Sequence, residues 1–158
     1  VLSANNSIQH RLFLFEERNM PTGAHVATGT IRVSRFVKLS GNFSVAECDA
    51  NESIYGVSQE FSRVVPIPSE TADPPQAAQS GEALNVHHTP GEIVLIRVGS
   101  GGVTYGSDVE SDADGQAVIA ATTAGTVRNL GGKALETASE GEYARMELRP
   151  STRTVPAA

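Results

Sequence analysis

Four carboxylates stand at alternate positions in Asp108-Val109-Glu110-Ser111-Asp112-Ala113-Asp114. Side chains of this type could bind a cation or move protons, and the run looks like a calcium loop. With Glu110 at position 1, Asp112 and Asp114 take positions 3 and 5 and Gly115 takes position 6. The bidentate Glu required at position 12 then falls on Ala121, which has no ligand atom. Starting at Asp108 instead puts Ala113 where the glycine belongs. On a strand, alternation sends all four carboxylates to one face, so the expectation is a solvated acidic face and no metal ligands.

The other candidates are weaker. His87 and His88 are adjacent, so on a strand they point to opposite faces and cannot easily share one ion. His10 and His25 lie near the N-terminus. Gly99-Ser100-Gly101-Gly102 lacks the Lys-Ser/Thr of a phosphate loop, and no serine sits in a G-x-S-x-G elbow. Cys48 is the single cysteine, which rules out an intrachain disulfide framework and fits folding in a reducing cytoplasm. The expectation is a chain with no catalytic residues, no cofactor and no metal.

The elements around these residues read as strands. Tyr143 to Leu148 alternates, with Ala144, Met146 and Leu148 on one side and Tyr143, Arg145 and Glu147 on the other. Pro150 is expected to end that strand. Thr30 to Arg35 alternates with Ile31 and Val33 inward, and Phe36 to Leu39 continues the run. Phe43, Val45, Ile54, Tyr55, Val57, Val103, Tyr105 and Val118 to Ala121 suggest further short strands. Asp114-Gly115 is a two-residue type I′ turn signal, and Gly131-Gly132 reads as a break. Gly81-Glu82, Gly91-Glu92 and Gly141-Glu142 each open a strand, the glycine turning the chain and the glutamate at the solvent rim. Ile93 to Ile96 is apolar on both faces, which predicts a central strand. Ala134 to Ala138 is long enough for one helical turn at most.

The flanks differ from this pattern. Residues 1–25 read as an extended arm. Within it Arg11, Leu12, Phe13, Leu14 and Phe15 form a run apolar on both faces, and Met20 to Gly23 is a turn. Such a run either sits centrally in its own sheet or adds to another chain's edge, so these five residues are the candidate partner-binding residues. Residues 64–80, with Pro66, Pro68, Pro74 and Pro75, read as an exposed insert. Residues 151–158 read as a tail.

Composition sets the bounds. The 158 residues suit one domain, with 39% hydrophobic residues, 5% aromatics and no Trp. A core of Val, Ile, Leu and Ala is implied, thin enough to make support from neighbouring subunits reasonable. The net charge of −6 gives no basic face for nucleic acid. No apolar run reaches the roughly 18 residues of a membrane helix. The N-terminus shows no charged-then-apolar signal pattern, and a leader removed before Val1 is compatible with the sequence.

The order Gly106-Ser107-Asp108-Val109, Ser111-Asp112-Ala113-Asp114-Gly115, Leu130-Gly131-Gly132-Lys133-Ala134-Leu135-Glu136-Thr137-Ala138 and Gly141-Glu142 before a closing strand resembles the capsid cement, or head decoration, proteins of tailed bacteriophages. Phe36 to Gly41, Ile54 to Val57 and Gly81 to Leu84 resemble the earlier half of that family, so the resemblance spans about residues 26–150. The arm and the Pro-rich insert are longer than the pattern requires. The residues read as an all-β fold, a small barrel or sandwich of short antiparallel strands with an extended N-terminal arm, and the resemblance implies a small β-rich protein without catalytic residues. It implies a protein made in the host cytoplasm and carried on the outer surface of the virion capsid. Its partners would be the major capsid protein and further copies of itself, as homotrimer or dimer, with no nucleic acid or membrane bound. A β-sandwich adhesion or carbohydrate-binding module is the alternative, and it would need exposed tyrosines near a pocket; Tyr55, Tyr105 and Tyr143 are the three available.

Overall fold

The computed structural model describes residues 24–59 and 76–157, and all regular structure among them is strand. Twelve strands follow in order: β1 Ala24–Ala27, β2 Ile31–Arg32, β3 Phe36–Gly41, β4 Ser44–Glu47, β5 Gly56–Ser58, β6 Gln76–Ala78, β7 Ala83–His87, β8 Ile93–Arg97, β9 Asp108–Ser111, β10 Ala117–Ile119, β11 Val127–Ala134 and β12 Tyr143–Thr154. The first half closes into a barrel in the order β1-β4-β3-β5-β7. The second half is a five-stranded antiparallel sheet in the order β10-β9-β11-β12-β8, and β2 pairs with β6. The all-β expectation holds, with one exception to antiparallel pairing: β1 and β4 run parallel.

Two hydrophobic cores result, and they divide at β3. Successive side chains on a strand face opposite ways. Val37 enters the barrel interior with Ile31, Val45, Ala77, Ala78 and Leu84. Phe36 points outward and joins Val94, Ile96, Val109, Met146 and Leu148 between barrel and sheet. Both Phe36 and Val37 are fully buried, and burial of such side chains contributes about 1.5–3 kcal/mol each. The alternation of Ala144, Met146 and Leu148 toward the core is as expected.

Polar ties fix the two halves at either end of this core. The Phe36 amide donates to Gly115 O (2.8 Å) and the Arg97 amide to Ser34 O (2.9 Å). Arg35 is buried beside them. With the Gln116 carboxamide turned so that its nitrogen donates to Val98 O (3.0 Å), its oxygen accepts from Arg35 (3.1 Å). Burial lowers the Arg35 pKa, and Arg32 and Arg97 nearby act in the same direction. At the other end the Asn51 side chain accepts from Asn129 N (2.8 Å) and donates to Val127 O (3.0 Å).

The Gly-Glu steps prove to be one repeated device. Gly81, Gly91 and Gly141 have φ of 85°, 89° and 84°, the value a type II turn needs at its third residue. Each glycine N–H donates to a residue of the adjoining chain, Ala27, Leu148 or Val98, and the following glutamate carbonyl accepts that residue's amide. Gly106-Ser107 and Gly125-Thr126 repeat the arrangement against Ala134 and Val155. The carboxylates at the rim close two of these turns, since Glu82 and Glu142 accept the amides of Gln79 and Ser139 that begin them.

Several expectations change. β12 passes through Pro150 to Thr154, so much of the supposed tail is strand. Leu130 pairs with Ser151 and Gly132 with Leu148, which leaves Arg149 and Pro150 opposite Gly131 in a bulge, where a residue without an N–H is tolerated. Gly131-Gly132 is therefore a bulge inside β11 and not a break. A Cβ on Gly131 would lie 2.4 Å from the Phe36 ring. The end of the Pro-rich stretch is not exposed loop, since Ala77 and Ala78 are buried in β6. Residues 99–107 form turns, with Val103 bridged singly to Ala138 and Tyr105 exposed at a tip.

Asp114-Gly115 is not a two-residue type I′ turn. Gly115 has φ 68°, Asp114 is not in the positive-φ region, and Asp112 N bonds Gln116 O, giving a three-residue loop of Ala113, Asp114 and Gly115. A Cβ on Gly115 would meet Phe36 O at 3.1 Å and Arg35 Cβ at 3.3 Å. Gly115→Val should therefore lower the urea midpoint by the equivalent of more than about 1 kcal/mol; an unchanged midpoint would show that the junction can relax.

Candidate interaction surface

The acidic run is divided between a strand and a turn. Asp108 and Glu110 lie on β9, on the outer face of the sheet, and the next two strands carry cations that reach them. Arg128 of β11 and Arg153 of β12 are directly paired across their strands. Like charges so placed repel unless neutralised. Glu110, buried, accepts from two of the three Arg128 guanidinium nitrogens, Nε at 2.8 Å and Nη2. Asp108 takes Arg153 at 2.7 Å and Lys133 at 3.7 Å. Beyond Ser111 the strand stops. Asp112 instead accepts the amides of Asp114 and Gln116, both at 2.8 Å, and Asp114 meets Arg32 at 3.2 Å. The expected solvated acidic face is thus a set of counterions and turn caps. Among the described residues no group of three His, Cys, Asp or Glu side chains could hold a metal.

His87, the last residue of β7, and His88, just beyond it, have separate partners. His87 Nδ1 lies 2.8 Å from Glu92. His88 stacks on Tyr55 at 5.2 Å between centroids, and the buried His25 ring stands edge-on to both. His25 Nε2 is 3.1 Å from the Tyr55 hydroxyl. No spacing in the sequence announces this cluster, because its members come from three separated segments. Cys48 is buried, and burial pushes its thiol up to about 12, which leaves it protonated and inert.

The tyrosines do not gather round one pocket. Tyr55, with Lys38, Leu39, Glu52, Ser53 and Ile54, lines an open hollow of about 340 Å³. Lys38 and Glu52 there form an ion pair with each other, and His88 covers one Tyr55 face. Tyr143 lies on the outer sheet face under the Arg97 guanidinium, 5.2 Å from its centroid. Tyr105 stands alone at its tip.

Phe43 is the most exposed apolar side chain among the described residues, at 76%, and a row of further exposed apolar side chains lies on β8. Among the described residues this strand is at the edge of the sheet and not central, since it pairs there with β12 alone. Val94 and Ile96 face the core, while Ile93 is 62% and Leu95 54% exposed. Tyr143, 39% exposed, pairs across from Arg97 on the same outer face, and Arg145 pairs with Leu95. Aliphatic, tyrosine and arginine side chains in one row are what a protein-binding patch requires. Alternation could not foretell this, because apolar residues on both faces of a strand usually mean cover on both. The residues singled out from sequence, Arg11 to Phe15, lie outside the described residues.

No family model matches the sequence, and no curated protein matches it. The architecture does have a counterpart among solved structures. It is similar to the N base of head fiber gp8.5 in bacteriophage phi29, with a TM-score of 0.56 and 15% identity, over 80% of this chain and 91% of that one. At that identity the likeness is one of fold.

Two measurements check this description. Glu110→Ala strands a partly buried Arg128 and should cost about 2–3 kcal/mol by denaturant melt, with Glu110→Gln costing less; equal stability would mean that the pair is idle. The Glu52 carboxyl is held below the ordinary carboxylate range, first by Lys38 and then by the Asp49 amide. Its contribution is full above the unfolded-state value of about 4.3 and is lost as pH falls through the lower folded value. The stability gap between wild type and Glu52→Gln should thus hold steady near neutrality and close on acidification. A gap that widens in acid would refute the assignment.

Proposed function

We propose that this chain is a bacteriophage head protein that binds the major capsid protein on the outer surface of the shell and reinforces it. The observation that carries the reading is the fold shared, over most of both chains, with the N base of a phage head fiber. The resemblance of residues 26–150 to decoration proteins points the same way. The role asks for no catalysis. It asks for a rigid β body, a patch for protein, and repetition on a lattice, where many modest contacts act together. The row of Ile93, Leu95 and Tyr143 supplies such a patch. Association with further copies, as trimer or dimer, belongs to the same reading.

Sedimentation tests it. The chain, mixed with expanded heads of its own phage stripped of it, should pellet with them at saturating, lattice-limited stoichiometry. Leu95→Asp should weaken that binding by at least about tenfold, a typical hot-spot loss. A chain that stays in the supernatant would sink the proposal.

A further inference from the structure

We propose that Arg35 forms the floor of a binding site for a small free oxyanion, inorganic phosphate, where the barrel meets the sheet. The site is separate from the β8 row, and the inference does not depend on the capsid reading.

Arg35 is the bulkiest of the fully buried side chains among the described residues, at 2% exposed. A buried guanidinium is costly unless an anion and hydrogen-bond acceptors surround it. Elsewhere this chain meets that need in one way. Arg32 holds Glu47, Arg128 holds Glu110 and Arg145 holds Glu136, each through Nε and Nη2 together. That edge of the guanidinium matches two oxygens of one oxyanion. Arg35 departs from the pattern. Its Nε is buried with no hydrogen-bond partner, and no Asp or Glu among the described residues pairs with it. Nη1 is accounted for, since it donates to the turned Gln116 carboxamide at 3.1 Å. What remains is the Nε and Nη2 edge, the one that its fellow arginines give to a carboxylate.

The surroundings decide the ligand. Arg35 directly precedes β3, and its Cβ lies 3.3 Å from where a Cβ on Gly115 would stand. The barrel thus supplies the cation, and the loop of Ala113, Asp114 and Gly115 with Gln116 closes over it from the sheet. A side chain of a partner protein has no way in at 2% exposure. An ion of a few atoms needs only a local opening of that loop. Glu47 and Asp114 are near but already held by Arg32. Arg32 and Arg97 both repel the Arg35 charge, and a field of that sign favours an anion carrying more than one charge. Phosphate has the charge and presents two oxygens to Nε and Nη2; chloride has neither property. Bound there, it neutralises a buried cation at the joint between the two halves.

NMR of the arginine Nε–H groups in the full chain tests this. Phosphate, compared with chloride at matched ionic strength, should carry the Arg35 signal to a saturating new position. The Arg128 signal, whose Nε–H already donates to Glu110, should stay in place. At about ten times the dissociation constant so measured, phosphate should lower the unfolding equilibrium constant by about elevenfold in a urea melt. That drop is counted beyond the one in Arg35→Gln, which retains only the general stabilising effect of phosphate as a salt. Should Arg35→Gln fail to fold, Gln116→Glu sets a carboxylate of the chain beside Arg35 and should weaken phosphate binding by at least about tenfold. An Arg35 signal that stays in place, or one that drifts alike in chloride without saturating, would overturn the proposal. So would a phosphate response that persists undiminished in either variant.

Discussion

The structure depends on one constraint, the opposite facing of two adjacent residues on β3. Phe36 and Val37 cannot share a core, because a strand turns successive side chains to opposite faces. Val37 closes the barrel, and Phe36 holds the barrel to the sheet. Everything at the junction accommodates that ring. Gly131 leaves room for it, Gly115 accepts its backbone amide, and Asn51 and Arg35 tie the ends of the contact. Phe36 is the one aromatic side chain in that core among the described residues.

Charge is handled in the same local manner. The acidic alternation could have been a binding site, but geometry gives each carboxylate an inward duty. Two neutralise the facing pair Arg128 and Arg153, one caps a turn, and one meets Arg32. A sheet face bearing matched charges has little long-range field of its own. Its distinguishing ground is the apolar row at the β8 edge.

A body of this kind suits a mechanical role. Five copies of one glycine turn pin each reversal to its neighbouring strand by two backbone bonds. Loops so anchored store little freedom, so load placed on one edge is carried into the sheet. The proposed reinforcement of a shell would draw on that stiffness and on a patch to grip with.

The sequence by itself determined the class of fold, the alternation of β12, the inward Ile31 and Val33, and the glycine turns, because strand period and positive φ are local properties. Tertiary structure decided what depends on partners distant in the chain. Pro150 continues a strand because a bulge opposite Gly131 receives it. Ala77 and Ala78 are buried because β2 pairs with β6. The carboxylates are counterions because Arg128 and Arg153 lie on the next two strands in space, though far along the chain. Ile93 and Leu95 are exposed because no described element covers the outer face of the sheet, and an apolar pattern reports what a strand could bury, not which side of it finds cover.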